Sequence, residues 1–344
     1  MNIYGTNISK NDLNKAGNIR QLFGTRHYTL SRGAAKGTRC IDVSCGEFSF
    51  TVVPDRGMDI SQAALKGCNL VYQTPVGEAS PAFYNSGGAE FIKTFFAGML
   101  TTCGLANISG PCVDEGEAVG LHGRFSNTPV DNFCDLSRWE GDDYIIELTG
   151  VVQEAFLATR KLRLRRVIRT VAGERRLTIS DEVENFGLTA SPLVLLYHVN
   201  PGYPLLDDGA EIAVSDSVSE GYNSHSNNHI EGMLRVGPPE AGYPEQNFLH
   251  TMKSENCRAM LINRKLMGGG VALYVKWSRS ELPYMSLWKN LDGTDYVVGL
   301  EPCLCPCMPR DELRRMGLVP VIEPGEIRKF RVEIGVLEGA EIPT

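Results

Sequence analysis

The chain has 344 residues, of which 42% are hydrophobic, and it carries a formal net charge of −7. This length is enough for two ordinary domains or one large β architecture, and the acidic balance argues against nucleic acid or an anionic membrane as the main partner. No apolar run approaches the roughly 20 residues that a membrane span needs, and the N-terminus lacks a signal-peptide pattern. We therefore expect a cytoplasmic protein with a small polar ligand.

In the first third of the chain, residues 40–54 are rich in β-branched and aromatic side chains, which predicts one or two strands. Helical patterning is confined to residues 10–23 and 89–100, so helices are expected only there. Farther along, residues 161–170 alternate between apolar side chains and arginines, which predicts a half-buried strand. The turn at residues 172–175 then leads into a second strand, and the two strands are predicted to form a hairpin.

More strands are predicted near the C-terminus, at residues 271–277, 285–288, 296–300 and 328–337. Between these strand-rich parts, residues 207–247 are polar and are predicted to cross the rim of the fold as loops. His225 and His229 lie in this stretch, four residues apart. Because the asparagines between them disfavour a helix, a surface loop is expected there rather than a metal-binding helix.

Strand-like segments extend over the whole length, separated by Gly, Pro and Asn turns, with neither a low-complexity linker nor an internal repeat. This distribution favours a sandwich over alternating βαβ units. We predict an all-β fold, a large antiparallel β-sandwich, in a single domain of residues 1–344.

The ten cysteines are scattered apart from Cys303, Cys305 and Cys307. A chain of this size does not need disulfide staples, so mostly reduced, buried thiols are expected. The trio lacks both the spacing of zinc ligands and a second ligand pair, and a proline-braced apolar loop explains it better. No metal site is predicted.

Three polar side chains stand in or beside short, strand-like segments. His122 lies in a Leu-His-Gly-Arg segment, whereas His198 and Glu301 directly follow apolar runs. Burying an imidazole or a carboxylate is costly without a partner, so these groups are expected to share one site. Together they can transfer protons near neutral pH, which indicates acid/base chemistry. A lone histidine can equally be a satisfied core residue, whereas Glu301 is harder to explain without a function.

Five motifs carry a resemblance to a known superfamily. They are residues 54–60 (Pro-Asp-Arg-Gly-Met-Asp-Ile), 101–105, 121–124, 197–202 and 299–302. With these motifs the chain resembles the aldose 1-epimerase, or galactose mutarotase-like, superfamily, and within it a bacterial branch described as a domain of unknown function. The resemblance implies a supersandwich whose concave face holds a sugar, with no cofactor or metal in the chemistry.

The resemblance also implies roles for the three polar residues. His198 is the acid that protonates the sugar ring oxygen, Glu301 is the base that takes the proton from the anomeric hydroxyl, and His122 contacts the sugar. Opening a hemiacetal requires both proton transfers, each of which can contribute a factor of about 10² to 10⁴. The aldehyde then rotates about its C1–C2 bond and closes on the other face.

Five further residues are predicted to bind the substrate: Arg124, Lys93, Asn200, Arg56 and Lys289. Snorkelling explains the two lysines equally well, and Arg56 can be part of a structural turn. Residues 199–202 are Val-Asn-Pro-Gly, where galactose mutarotases are expected to have aromatic side chains, so galactose is not assumed. A phosphorylated or otherwise modified sugar stays open, with the lysines and Arg124 as anion contacts.

Other functions remain open at this point. The chain can be a carbohydrate-binding or sensing protein on the same fold, or an epimerase that acts at a carbon other than C1. A polysaccharide lyase or hydrolase fits least, because only three tryptophans are present to line an open cleft. The expected partner is a small-molecule sugar, and the expected assembly is a monomer or a homodimer.

Overall fold

The computed structural model describes residues 1–343 and is dominated by β-strands. The first twelve strands are β1 (Asn2–Ile3), β2 (Thr6–Asn7), β3 (Gly24–Thr29), β4 (Arg39–Ser44), β5 (Phe48–Val53), β6 (Asp59–Leu65), β7 (Cys68–Asn69), β8 (Thr101–Leu105), β9 (Cys112–Asp114), β10 (Glu117–Val119), β11 (Asp131–Asp135) and β12 (Arg138–Glu140).

The later strands are longer. They are β13 (Asp143–Ala155), β14 (Lys161–Val171), β15 (Arg176–Asn185), β16 (Ser191–Pro192), β17 (Val194–His198), β18 (Glu211–Val214), β19 (Ser217–Gly221), β20 (Gln246–Met252), β21 (Asn256–Asn263), β22 (Val271–Ser278), β23 (Tyr284–Leu291), β24 (Tyr296–Cys303), β25 (Val321–Ile322) and β26 (Ile327–Glu338). The strands predicted near the C-terminus are thereby confirmed as β22, β23, β24 and β26.

Helices are short. The α-helices are α1 (Ser224–Asn228) and α2 (Arg310–Arg315). The 3₁₀ helices are Lys10–Lys15, Ile19–Gln21, Gly33–Ala35, Pro54–Arg56, Pro81–Phe83, Glu90–Thr94, Phe125–Asn127, Ile230–Gly232, Leu266–Gly268 and Gly339–Glu341. Among residues 1–343, every helix is too short or too polar to cross a bilayer.

Three antiparallel sheets make up most of the fold. The nine-stranded sheet has the order β11-β13-β14-β15-β26-β22-β21-β18, with β12 paired to β13. The six-stranded sheet has the order β19-β20-β23-β24-β17-β8, and the five-stranded sheet the order β3-β4-β5-β6-β7. This arrangement confirms the predicted all-β, antiparallel sandwich.

The main hydrophobic core lies where the three sheets face one another. It contains Leu164 and Val332 from the nine-stranded sheet, Leu195 and Leu300 from the six-stranded sheet, and Phe50 from the five-stranded sheet. Because each sheet can bury only one apolar face by itself, this shared core is what joins them. The interpretation as a single domain stays a prediction.

Strands β14 and β15 show why the sequence pattern worked. Leu162 and Ile168 are buried on one face of β14, whereas Arg163 and Arg165 are exposed on the other. Successive side chains of a strand point to opposite faces, so the period of two sorts apolar from charged residues. The pairing of β14 with β15 across the predicted turn confirms the hairpin.

The predicted helices are wrong in extent. Residues 10–23 form two 3₁₀ helices, Lys10–Lys15 and Ile19–Gln21, because the segment between them is rich in glycine and asparagine, which are poor helix formers. Of residues 89–100 only Glu90–Thr94 are helical. The chain takes positive φ angles three residues later, which no α-helix accommodates.

The loop predicted around His225 and His229 is also wrong in part, because His225 lies in helix α1. The side-chain oxygen of Asn223 accepts a hydrogen bond from the backbone N–H of Ser226 at 2.8 Å. Such an N-cap contributes about 1 kcal/mol, which offsets the poor helix propensity of the asparagines that follow.

A buried ionic network connects the three sheets. Both oxygens of Asp181 accept hydrogen bonds from the guanidinium of Arg166, at 2.9 and 2.7 Å, and Asp59 accepts another at 3.0 Å. Thr102 accepts from the same guanidinium, and the Tyr197 hydroxyl donates to Asp181 at 2.8 Å. All five residues are almost fully buried, and burial raises the pKa of Asp59 to about 6. One cation thus serves two carboxylates from different sheets.

Replacing Arg166 with methionine should destabilise the fold strongly. The change leaves Asp59 and Asp181 buried without a counter-ion, and breaking such a pair costs about 3–5 kcal/mol in the free energy of unfolding. The matched control is Arg163→Met on the opposite, exposed face of β14, where the ion pair with Glu184 contributes about 0–1 kcal/mol. Equal losses for the two variants in urea unfolding would contradict the network's role.

Candidate active site

The register of three strands in the six-stranded sheet aligns the catalytic candidates. Strand β17 pairs with β24 so that Leu196 lies opposite Cys303, and continuing this antiparallel register places His198 opposite Glu301. On the other side of β24, Ser286 of β23 is paired with Glu301. The chain neighbours of these residues belong to the main core, so the row faces the other side of the sheet.

His198 and Glu301 form a close, buried pair. Their Nε2 and Oε1 atoms are 3.2 Å apart, and the residues are 4% and 2% exposed. The Glu301 side chain lies over Gly299, where an added Cβ would collide with Oε1 and would lie 3.1 Å from Cε1 of His198. Gly299, two residues before Glu301, is therefore required for the carboxyl group to reach the histidine.

Burial shifts the pKa values of the two groups in opposite directions. It raises the pKa of Glu301 to about 8, against a hydrogen bond with Ser286, and it lowers the pKa of His198 to about 3, aided by the neighbouring His122. Desolvation disfavours the charged form of each group, which explains both signs. Between these values the pair holds one proton.

His122 stands next to this pair as a neutral donor. Its ring centroid is 5.8 Å from that of His198, and its Nδ1 atom accepts a hydrogen bond from the backbone N–H of Ser109 at 3.2 Å. Burial lowers the pKa of His122 to about 4, so the ring proton resides on Nε2. The following residue, Gly123, has a φ of 69° and packs so closely on the carbonyl of Gly104 that no Cβ fits.

Aromatic rings surround the two histidines. Phe95 and Trp288 pack against His198 with centroid distances of 5.4 and 5.5 Å, and Phe91 packs against the other histidine at 5.2 Å. The indole N–H of Trp288 donates to Glu245 at 2.8 Å, which holds that ring in place. Aromatic faces of this kind are suited to the apolar face of a sugar.

Several polar atoms at the pair have no hydrogen-bond partner within residues 1–343. They are Nδ1 of His198, Oδ1 of Asn200 and Oε1 of Glu301, all buried. The amide nitrogen of Asn200 donates to the carbonyls of His198 and Gly98, at 2.8 and 3.1 Å, which holds this side chain beside His198. Buried polar atoms are rarely left unpaired, and three in one place indicate that a ligand supplies the missing contacts.

Arg56 is buried in a structural environment. Its guanidinium donates to the backbone carbonyls of Ser126, Ala79 and Thr94 at 2.5, 2.9 and 2.7 Å, and it lies over the ring of Phe96. These contacts occupy its planar donor set and anchor the segment that carries the aromatic rim. Its predicted contact with a substrate stays a prediction.

The remaining three predicted binding residues are engaged away from the pair. Lys93 is exposed and forms an ion pair with Glu90, and Arg124 lies over the ring of Phe156. Lys289 is buried, but it follows Trp288 in β23 and therefore points to the opposite face of the sheet. The structure does not bring these three cations together with His198, and their binding roles stay predictions.

Sequence reasoning missed several residues that the structure places at the site. They are Phe91, Phe95, Ser109, Tyr222, Glu245 and Ser286. Only Ser286 had a usable signal, since it interrupts the apolar run of a predicted strand. The others come from loops, ends of strands or the short 3₁₀ helix Glu90–Thr94, where no pattern marks a side chain as part of a site.

Three thiols lie near the carboxyl group of Glu301. Burial raises the pKa of Cys103, Cys303 and Cys307 well above the usual value, with the nearby Glu301 contributing in the same direction. Within residues 1–343, no group of three or more histidine, cysteine, aspartate or glutamate side chains could hold a metal ion. All ten cysteines are free.

A larger groove lies elsewhere on the molecule. Its volume is about 1120 Å³, and its wall is the outer face of the five-stranded sheet, with Asp42, Thr51 and Gln62 among its residues. None of the predicted site residues lines this groove, and its size alone does not make it the catalytic site.

Comparison with known proteins assigns the family. A family profile whose description is a domain of unknown function (DUF4432) matches residues 35–336. The chain belongs to this family. No curated protein matches the sequence.

Comparison with solved structures shows the fold of this chain. A protein of Klebsiella pneumoniae, provisionally named an aldose 1-epimerase, superposes with a TM-score of 0.84 at 23% identity, over 97% of this chain and 87% of the other. A galactose mutarotase-like protein of Clostridium acetobutylicum gives 0.64 at 13% identity, over 92% and 99%. A galactose 1-epimerase of Lactobacillus acidophilus gives 0.58 at 13% identity, also over 92% and 99%. The fold is therefore galactose mutarotase-like, as the sequence motifs predicted.

The raised pKa of Glu301 makes a prediction for stability. Since the folded protein holds this proton up to about pH 8, the stabilising contribution is complete below the ordinary value of 4.5 and is lost as the pH rises to 8. Glu301→Gln removes that loss. The thermal midpoint of the variant should therefore rise relative to the unmodified protein between pH 5 and pH 8.

The control for this experiment is Glu323→Gln, at an exposed position outside the site. Its thermal midpoint should run parallel to that of the unmodified protein over the same pH range. A constant difference for Glu301→Gln would show that Glu301 is already ionised in the folded protein near neutral pH.

Proposed function

We propose that this protein is a sugar mutarotase that interconverts the anomers of a monosaccharide or a derivative. The observation that carries the proposal is the buried His198–Glu301 pair, in which a protonated carboxyl group lies 3.2 Å from a neutral imidazole. Ring opening removes one proton from the C1 hydroxyl and gives one to the ring oxygen, so the catalyst needs a single mobile proton and one vacant acceptor.

The geometry suits this reaction because both oxygens are bonded to the same carbon of the sugar. An acid and a base that serve them must be near neighbours, as His198 and Glu301 are. We assign the proton donor to Nε2 of His198 and the proton acceptor to Glu301. Moving the proton from the Glu301 carboxyl group to the His198 imidazole gives the imidazolium and carboxylate that the reaction needs. Transferring the proton back restores the starting state of the site.

Other residues of the site can orient the sugar. His122 is neutral and can donate a hydrogen bond through Nε2, while Asn200 offers an unpaired carbonyl oxygen. The rings of Phe95 and Trp288 provide the apolar surface on which a sugar ring packs. A hydrogen-bonding set of this kind binds hydroxyl groups without needing a charge on the ligand.

A neutral sugar is the favoured substrate class. The cations that were considered for an anionic substituent are ion-paired in the case of Lys93, stacked on an aromatic ring in the case of Arg124, and on the other face of the sheet in the case of Lys289. A phosphate at the pair would also lie near the carboxylate of Glu245, which would repel it.

Proton NMR exchange spectroscopy, which measures the interconversion of the two anomeric signals, tests the proposal over a panel of neutral aldoses, ketoses and sugar phosphates. The unmodified protein should accelerate anomer exchange, and Glu301→Gln or His198→Gln should lose a factor of about 10² to 10⁴, as expected for one proton transfer. Glu323→Gln should exchange anomers at the unmodified rate.

The outcomes separate the alternatives. Acceleration that survives in a folded Glu301→Gln protein would rule out the assigned base. Saturable sugar binding without exchange would favour a sensing role on the same fold. Deuterium from the solvent appearing on carbon would indicate an epimerase that acts at a carbon centre.

The pH dependence of the rate follows from the same pair. Above about pH 8 Glu301 loses its proton and the pair has none left to donate, so kcat/KM should fall tenfold per pH unit there. The measurement is the enzyme-catalysed exchange rate from pH 6 to 10, after subtraction of the buffer-catalysed rate. A rate that is flat or rising through pH 10 would contradict the one-proton pair.

A further inference from the structure

A second cavity lies behind the catalytic sheet. Strand β23 alternates, so that Trp288 packs against His198 on one face and Lys289 points into the cavity on the other. The cavity has a volume of about 380 Å³, and the segment around Arg235 forms part of its wall. It is separate from the proposed sugar site, so its function does not depend on the proposed activity.

Lys289 is a buried cation that lacks a counter-ion. The residue is 3% exposed, and its Nζ donates to the carbonyls of Arg235 and Gly232, at 2.8 and 3.4 Å. No carboxylate oxygen of residues 1–343 lies within salt-bridge distance of this ammonium group. An ammonium removed from water without an opposite charge is costly, and burial lowers the pKa of Lys289 to about 8.

Further polar side chains line the same cavity. Arg235 lines it and has no ion pair in the described chain, whereas Nδ1 of His229 donates to the carbonyl of His225 at 2.8 Å, which leaves Nε2 of the neutral ring as an acceptor. Gln246 is paired with Lys289 across β20 and β23, and its amide donates to the Tyr243 hydroxyl at 3.0 Å.

Two carboxylates, Glu231 and Glu240, also line the cavity, but both are exposed at its mouth. Water screens charges at an exposed rim far more than at a buried floor. Arg235 is exposed in the same way, so the field on a ligand inside the cavity is set mainly by Lys289. A cation would be repelled from that floor, whereas an anion would supply the missing counter-charge.

We propose that this cavity binds a small metabolite through an oxyanion, a phosphate or a carboxylate group, that pairs with Lys289. Arg235 closes over the same group at the mouth, and Tyr243 contacts the body of the ligand. The charge of the oxyanion offsets the desolvation cost of the buried Lys289 ammonium group.

Thermal unfolding with added anions tests the site. Inorganic phosphate, sulfate and acetate are compared at constant ionic strength with chloride as the reference. The thermal midpoint should rise by roughly 2 °C or more with at least one of these probes, and the ranking shows whether phosphate-like or carboxylate groups are preferred. No shift with any probe would overturn the proposal.

Two variants locate the effect. Lys289→Met keeps the volume of the side chain, removes the buried charge and should abolish the anion-dependent rise. Lys329→Met removes an exposed lysine of β26 that is paired with Glu182. This variant should keep the full anion-dependent rise of the thermal midpoint. An equal rise in all three proteins would place the anion elsewhere and would overturn the assignment.

Proton linkage gives a readout that a merely structural lysine would not change. At pH 8 about half of the Lys289 side chains are neutral, so pairing with sulfate should take up about half a proton from the buffer. Calorimetry in two buffers of different ionisation enthalpy measures this uptake. The uptake should nearly vanish at pH 6 and in Lys289→Met, and binding without proton uptake at pH 8 would contradict the proposal.

Discussion

The structure depends on one buried guanidinium. Arg166 on the nine-stranded sheet holds Asp181 of the same sheet and Asp59 of the five-stranded sheet, while Thr102 brings in the six-stranded sheet. A cation inside a protein is tolerated only when its hydrogen-bond donors are satisfied. The three sheets must therefore meet in one relative arrangement, because any other would leave Arg166 or a carboxylate unpaired.

This network also positions the candidate site. Tyr197 donates to Asp181 from one face of β17, and the next residue, His198, projects from the other face toward Glu301. Since neighbouring residues of a strand alternate between faces, fixing the tyrosine fixes the direction of the histidine. The charged network and the candidate His198–Glu301 pair thus lie on opposite faces of the same strand. The pair itself is kept neutral overall by burial, which is the property that proton transfer uses.

The sequence was informative about the site where a polar residue broke an apolar strand. His198 and Glu301 were predicted to share a site on the cost of burying them, and the structure brings their side chains together. The same reasoning could not tell on which face of its strand Lys289 lies, because a lysine in an apolar run indicates burial but not the direction of its side chain. Its cavity is formed only in the folded chain, where β20 pairs beside β23 and the segment after α1 contributes the remaining lining residues.

By itself, the sequence determined the alternation of apolar and polar residues along the strands, the hairpin of β14 and β15, and the motifs that indicate the family. All three are local patterns of neighbouring residues. Only the tertiary structure decided which strands are neighbours and in which register. Register depends on contacts between residues far apart in the chain, and a slip of one residue would turn His198 away from Glu301. For that reason the candidate pair was predictable as a set of residue types, whereas the aromatic rim, Ser286 and the Lys289 cavity were not.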